Sequence, residues 1–162
     1  MKKPLIYVVD DNKITVKLMR KYLEVNGFEV GEAYDGVECI ELVEKQKPDA
    51  IVLDVMMPRL DGYDTAKRLK ENPDTKEVPV VIVTALNDVP NQVKAIDSGA
   101  DDFLSKPIEE KLLVAKVRLL SNFSFSRKRE RKLREVIVSL QSGNSEYKDK
   151  TVDEILQEEG LE

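Results

Sequence analysis

The chain has 162 residues, 41% of them apolar and 35% charged, with a net charge of −5. That is enough for one domain of ordinary size plus an appendage, and the mixture is that of a globular protein, not a disordered one. The acidic balance speaks against a general nucleic-acid-binding surface, and the absence of any His excludes His general bases, His metal ligands and a phosphohistidine relay within this chain.

Lys2 and Lys3 precede only the apolar run Leu5–Val9, too short for the apolar region of a signal peptide. The longest apolar run, Val78–Leu86, is interrupted by Pro79 and Thr84. It falls far below the roughly 18 residues of a membrane span. Cys39 stands alone, so no intramolecular disulfide can form; a soluble protein in a reducing, cytoplasmic setting is expected.

Five short apolar runs read as strands: LIYVV (5–9), FEVGEA (28–33), AIVLDV (50–55), VPVVIVTA (78–85) and DFLSK (102–106). The first, third and fourth are β-branched and nearly unbroken, as strands buried on both faces are. Segments with helical spacing separate them. Ile14, Leu18, Tyr22 and Val25 mark the first helix, with Gly27 at its C-terminal end. Val37, Ile40 and Val43 mark the second, ending before Pro48, and Tyr63, Ala66 and Leu69 the third, ending before Pro73. Val93, Ile96 and Gly99 mark the fourth, and Leu112 to Leu120 the fifth. Strict alternation predicts a parallel α/β sheet with helices on both faces.

Beyond Leu120 the character changes. Residues 123–140 hold six basic residues (Arg127, Lys128, Arg129, Arg131, Lys132, Arg134) against Glu130 and Glu135, a local balance of +4. Leu133, Val136–Ile137 and Leu140 keep coiled-coil spacing, interrupted upstream at Ser126 and Arg129–Glu130. A helix running on from the fifth one and able to pair with a partner, a second copy included, is expected. A nucleic-acid role is not, because no groove-reading motif accompanies the charge. SGNS (142–145) reads as a hinge, and residues 141–162 carry about −5. There Thr151 and Glu154 have capping-box spacing and Val152, Ile155 and Leu156 share a face, predicting a short helix ending near Gly160. The acidic segment is expected to fold back weakly on the basic one. The expected organisation is 1–122, 123–140 and 141–162.

In an open parallel sheet, ligands bind beyond the carboxyl ends of the strands. Here those ends are polar: Asp10–Asp11, Asp54, Thr84–Ala85 and Lys106–Pro107. Each has an ordinary explanation alone. Asp10 and Asp11 could cap the first helix, Asp54 could sit in a turn, and Lys106 could be a surface lysine. Together they assemble three carboxylates, a hydroxyl and an ammonium. Carboxylates in one crevice repel and take up protons or a cation, and a hard ion such as Mg²⁺ suits them. A carboxylate can also act as a nucleophile. Phosphoryl transfer to Asp54 uses every part.

These residues, with the segment LDVMMPRLDG (53–62) and Phe103 three places before Lys106, resemble the receiver domain of two-component response regulators (CheY-like). The resemblance covers residues 4 to about 122. Around 99–120 it is most similar to receivers that stand at the N-terminus of diguanylate cyclase response regulators. It implies a flavodoxin-like (βα)5 doubly wound sheet, strand order 2-1-3-4-5, here with a C-terminal helical extension. It implies Asp54 as phosphoacceptor; Asp10, Asp11, Asp54 and the Met56 carbonyl as holders of Mg²⁺; and Thr84, Ala85 and Lys106 as phosphoryl-binding residues. Thr84 and Phe103 would be the switch pair, and the Lys106–Pro107 bond would be cis. A sensor histidine kinase or phosphotransfer protein would be the donor. The output would pass through the face of the fourth helix, fifth strand and fifth helix to an unidentified target.

Met56 and Leu86 flank the acceptor and neither can orient water, so slow self-hydrolysis is expected. Asp35–Gly36 and Asp61–Gly62 read as turns, with no metal role for Asp61. Cys39 is expected to be buried and inert. Two other classes compete. An Mg²⁺-dependent aspartyl-phosphate phosphatase would need Asp where Met56 stands, and a constitutive interaction module would have no need of Asp54, Thr84 and Lys106 together.

Overall fold

The computed structural model describes residues 2–85, 89–143 and 146–162. Its elements alternate: β1 (Leu5–Val9), α1 (Lys13–Val25), β2 (Glu29–Ala33), α2 (Gly36–Lys45), β3 (Ala50–Asp54), α3 (Gly62–Glu71), β4 (Val80–Thr84), α4 (Val89–Asp97), β5 (Asp102–Ser105), α5 (Glu110–Gln141) and α6 (Val152–Glu158). The five strands form one parallel sheet in the order β2-β1-β3-β4-β5. Two compact units emerge, one of Lys3–Ser121 and one of Asn122–Glu162 with Lys2.

Period-2 alternation divides the buried strand residues between two core layers. Tyr7, Val9, Ile51, Leu53, Val80 and Ile82 meet Cys39, Val43, Ala66, Leu69 and Ala95 of α2, α3 and α4. Ile6, Val8, Ala50, Val52, Val81 and Val83 meet Val16, Met19 and Leu23 of α1 and Leu113, Val114 and Val117 of α5. This division follows from strand order. The chain steps one way from β1 to β2 and the other way from β2 to β3 onward, and right-handed crossovers then put α1 opposite α2, α3 and α4.

Three helix faces differ from those the spacing suggested. In α1 the buried stripe is Val16, Met19 and Leu23, whereas Ile14 and Val25 are 78% and 69% exposed. Both stripes are apolar. The phase is set by Asn12, whose side chain accepts from the Ile14 and Thr15 amides and starts the helix where Val16 meets the sheet. In α4 only Ala95 is buried, and Val93 and Ile96 face outward. In α6 Ile155 and Leu156 are buried but Val152 is exposed.

α5 is a single helix of 32 residues. Within the Asn122–Glu162 unit, of the expected seam Val136 is buried and Leu133 half-buried, while Ile137 and Leu140 are exposed. Lys132 Nζ lies 2.6 Å from Glu159 and stands over the Tyr147 ring, joining the basic stretch to the acidic one. Thr151 and Glu154 form a complete capping box at the start of α6. Gly143, in the expected hinge, has φ 74°; residues 144–145 lie outside the described residues. No helix among the described residues is long and apolar enough to cross a membrane.

Candidate functional site

The carboxyl ends of β1, β3, β4 and β5 converge on one acidic pocket. Asp10, just after β1, is 1% exposed, and Asp54, the last residue of β3, is 4% exposed. A carboxylate oxygen from each of Asp10, Asp11 and Asp54 lies within 4.8 Å of the other two, with Asp11 on the solvent side. Lys106 arrives from β5: its Nζ is 2.9 Å from Asp54 Oδ1 and 3.3 Å from Asp10 Oδ2. The Lys106 backbone amide donates to the Thr84 carbonyl, which places Lys106 beside the end of β4, and the Lys106–Pro107 bond is cis.

Burial pushes the Asp54 carboxyl above the ordinary carboxylate range; Asp10 and Asp11 push the same way, and the hydrogen bond from Lys106 opposes them. Burial also works against the Lys106 ammonium, but its contacts with Asp54 and Asp10 outweigh that and hold it above the ordinary lysine range. Among the described residues, one ammonium faces three carboxylates. The pocket therefore retains a surplus of negative charge that a cation would relieve. An all-oxygen donor set with one exposed carboxylate suits a hard divalent ion that keeps waters and shares phosphate oxygens.

The other expected residues are also placed. Thr84 is buried at the end of β4, and Ala85 is exposed beside it. Met56 directs a 74% exposed side chain outward, while Met57 packs against the core. Phe103, half-buried on β5, packs on the core layer of α2, α3 and α4, and Lys116 Nζ lies 5.9 Å from its ring centre. Leu86 lies outside the described residues.

Asp10 and Asp11 do not cap α1; Asn12 does, and Asp10 instead accepts from the Asn12 amide. Asp35 and Asp61 cap α2 and α3. Gly62 is required by proximity: a Cβ there would lie 2.1 Å from the Asp54 carbonyl oxygen. Sequence reasoning missed the pair between Arg59 and Asp35 (Nε to Oδ2, 2.8 Å). Its one sequence signal was an Arg amid turn residues shortly after the candidate acceptor.

Residues 6–118 match the family model described as the response regulator receiver domain. Response regulator PleD of Caulobacter vibrioides (strain NA1000 / CB15N) is 42% identical over 118 residues, 73% of this chain and 26% of that protein. Response regulator MprA of Mycobacterium ulcerans is 43% identical over 115 residues, 71% of this chain and 49% of that protein. The chain thus spans between a quarter and a half of the length of these relatives. Among solved structures, the receiver domain of Francisella response regulator 1452 superposes with a TM-score of 0.71 at 34% identity, covering 75% of this chain and 99% of that one. A two-component response regulator from Clostridium difficile gives 0.68 at 28% identity, covering 73% and 95%.

Proposed function

The chain belongs to the response regulator receiver family, and from that premise we propose that it is a phosphorylation-controlled switch in which Asp54 accepts a phosphoryl group from a phosphohistidine. The donor is a histidine kinase or phosphotransfer protein, since this chain has no His. The observation that carries the proposal is Lys106 Nζ held 2.9 Å from a buried Asp54 whose carboxylate meets those of Asp10 and Asp11.

Asp10, Asp11, Asp54 and the Met56 carbonyl would hold Mg²⁺. When bound, the ion supplies positive charge to the phosphoryl oxygens. An Asp54 oxygen attacks phosphorus, the phosphorus–nitrogen bond to the donor imidazole breaks, and the imidazole leaves with that bond's electron pair. Lys106 offsets charge on the transferred group, and the Asp54 backbone, held against Gly62, keeps the nucleophile in place. The phosphoryl group brings a charge of about −1.5 to −2. Thr84 donates its hydroxyl to that group, Phe103 turns inward, and the face of α4, β5 and α5 changes shape to engage a downstream protein. Such a switch requires two states only a few kcal/mol apart. We assign residues 1–122 to the receiver, and residues 123–140 and 141–162 to an extension that is not part of the phosphoacceptor site. A cytoplasmic setting fits the single buried Cys39.

Incubation with acetyl phosphate and Mg²⁺ tests this. Mass spectrometry should find one phosphoryl group, on Asp54, absent after chelation and in Asp54→Asn. Label on another residue, or sustained turnover of a phosphate ester, overturns it in favour of an adventitious modification or a phosphatase.

A further inference from the structure

Arg59 is the one non-glycine among the described residues with a positive φ, 64°. The Leu60 amide donates to the Pro58 carbonyl at 2.8 Å, closing a three-residue γ-turn about Arg59. With positive φ this is the rare, strained form of that turn. Strain of this kind persists only where surrounding contacts enforce it, and it concentrates at functional sites.

The enforcing contacts are visible. Arg59 Nε and Nη2 both donate to Asp35 Oδ2, and Nη2 lies 4.0 Å from Glu38. Asp35 is 6% exposed, and its other carboxylate oxygen caps α2 by accepting from the Glu38 amide. Burial would raise this carboxyl, but the Glu38 amide and the Arg59 guanidinium outweigh it and hold it below the ordinary carboxylate range. The start of α2 also lies flush against the loop, since a Cβ on Gly36 would come within 2.8 Å of the Leu60 carbonyl oxygen.

Besides the apolar anchors Val55, Met57 and Leu60, two polar ties hold the loop 55–62. At its base the Gly62 amide donates to the Val55 carbonyl at 2.9 Å. Near its tip Arg59 is tied to α2. Met56 lies between the ties, with an exposed side chain that cannot anchor it. We propose that Arg59 is a positioning residue that acts through Asp35, the N-cap of α2, to hold the 55–62 loop at the height where the Met56 carbonyl can reach a divalent cation. This rests on the metal site proposed above. Arg59 touches neither the ion nor the phosphoryl group; it sets how much of the metal's binding energy is lost to ordering the loop.

The full-length protein is titrated with Mn²⁺, free ion being followed by electron paramagnetic resonance, alongside Arg59→Gly, Arg59→Lys and Asp35→Asn, with thermal melts as a check on folding. Glycine relieves the strained φ and removes the tether. Asn at position 35 keeps a good helix cap but removes the charge pair. Arg59→Gly and Asp35→Asn should each bind Mn²⁺ roughly tenfold more weakly, the low end of the loss expected when a group supporting a metal ligand is removed. Combining them should add nothing, and Arg59→Lys should recover part of the loss. At saturating Mg²⁺ the rate of phosphorylation by acetyl phosphate should return to near that of wild type, separating positioning from chemistry. Folded Arg59→Gly protein that binds Mn²⁺ as tightly as wild type overturns the proposal alone. Wild-type protein that takes up no Mn²⁺ overturns the metal site and this proposal together.

Discussion

Replacing Asp54 with Asn should make the magnesium-free protein more stable. At an effective dielectric of about 20, Lys106 at 2.9 Å attracts Asp54 by about 6 kcal/mol. Asp10, within 4.8 Å, repels it by about 3.5 kcal/mol, and the exposed Asp11 by about half that once solvent screening is counted. Attraction and repulsion then cancel to within about 1 kcal/mol, and the cost of burying the Asp54 charge is left without an offset. The upward push of burial on the Asp54 carboxyl has the same sign. A folded carboxyl held above its ordinary value of 3.8 contributes stability that is present below 3.8 and lost as pH rises through the raised value, so at neutral pH the charge is a liability. Asn keeps the shape, and Lys106 stays paired with Asp10 at 3.3 Å. The expected gain is about 1–2 kcal/mol, or about 2–8 °C in Tm for a chain of this length. Thermal melts in EDTA at neutral pH, followed by circular dichroism, read it directly. Adding Mg²⁺ should narrow the difference, because wild type gains about 2.7 kcal/mol at about a hundred times the dissociation constant while the variant has lost a ligand. An Asp54→Asn protein that melts below wild type in EDTA would mean that the Lys106 attraction dominates, and the charge-surplus argument would be refuted.

Phosphorylated protein freed of donor should lose its label slowly, because exposed Met56 offers no group to orient water; Met56→Asn should shorten the lifetime several-fold, and a wild-type half-life of seconds would contradict the argument. Burial, with a smaller push from Asp35, raises the Cys39 thiol to about 12, so native protein at pH 8 should resist thiol reagents that label it promptly in denaturant. The corresponding stability is fully present below the ordinary thiol value of 9.0 and is lost as pH rises toward about 12. Thr151→Ala removes the capping box of α6 and should cost about 1 kcal/mol of local helix stability. Faster amide exchange confined to residues 151–160 would register it, and a lower melting point of the receiver unit would argue that the two units are thermodynamically coupled.

The sheet and most of the pocket were legible in the amino-acid order because both rest on local rules. Strands buried on two faces must be continuously apolar, so LIYVV and VVIVT announce themselves, and Asp10, Asp54, Thr84 and Lys106 stand out as polar groups where such runs stop. Parallel pairing then brings those ends together whatever lies between them. Helix faces were less legible. α1 carries two apolar stripes, and only docking on the sheet, with its phase set by Asn12, selects Val16, Met19 and Leu23 over Ile14, Leu18 and Val25. α4 likewise buries a single Ala, Ala95, while Val93 and Ile96 remain outside. The tie between Arg59 and Asp35 was out of reach altogether: 24 residues separate the partners, and their meeting depends on where α2 begins relative to the loop after β3. Periodicity and strand-end chemistry are carried by neighbours in sequence. The choice between equivalent faces, and the pairing of remote charges, are decided only when the elements pack and one arrangement excludes more apolar surface from water than the others.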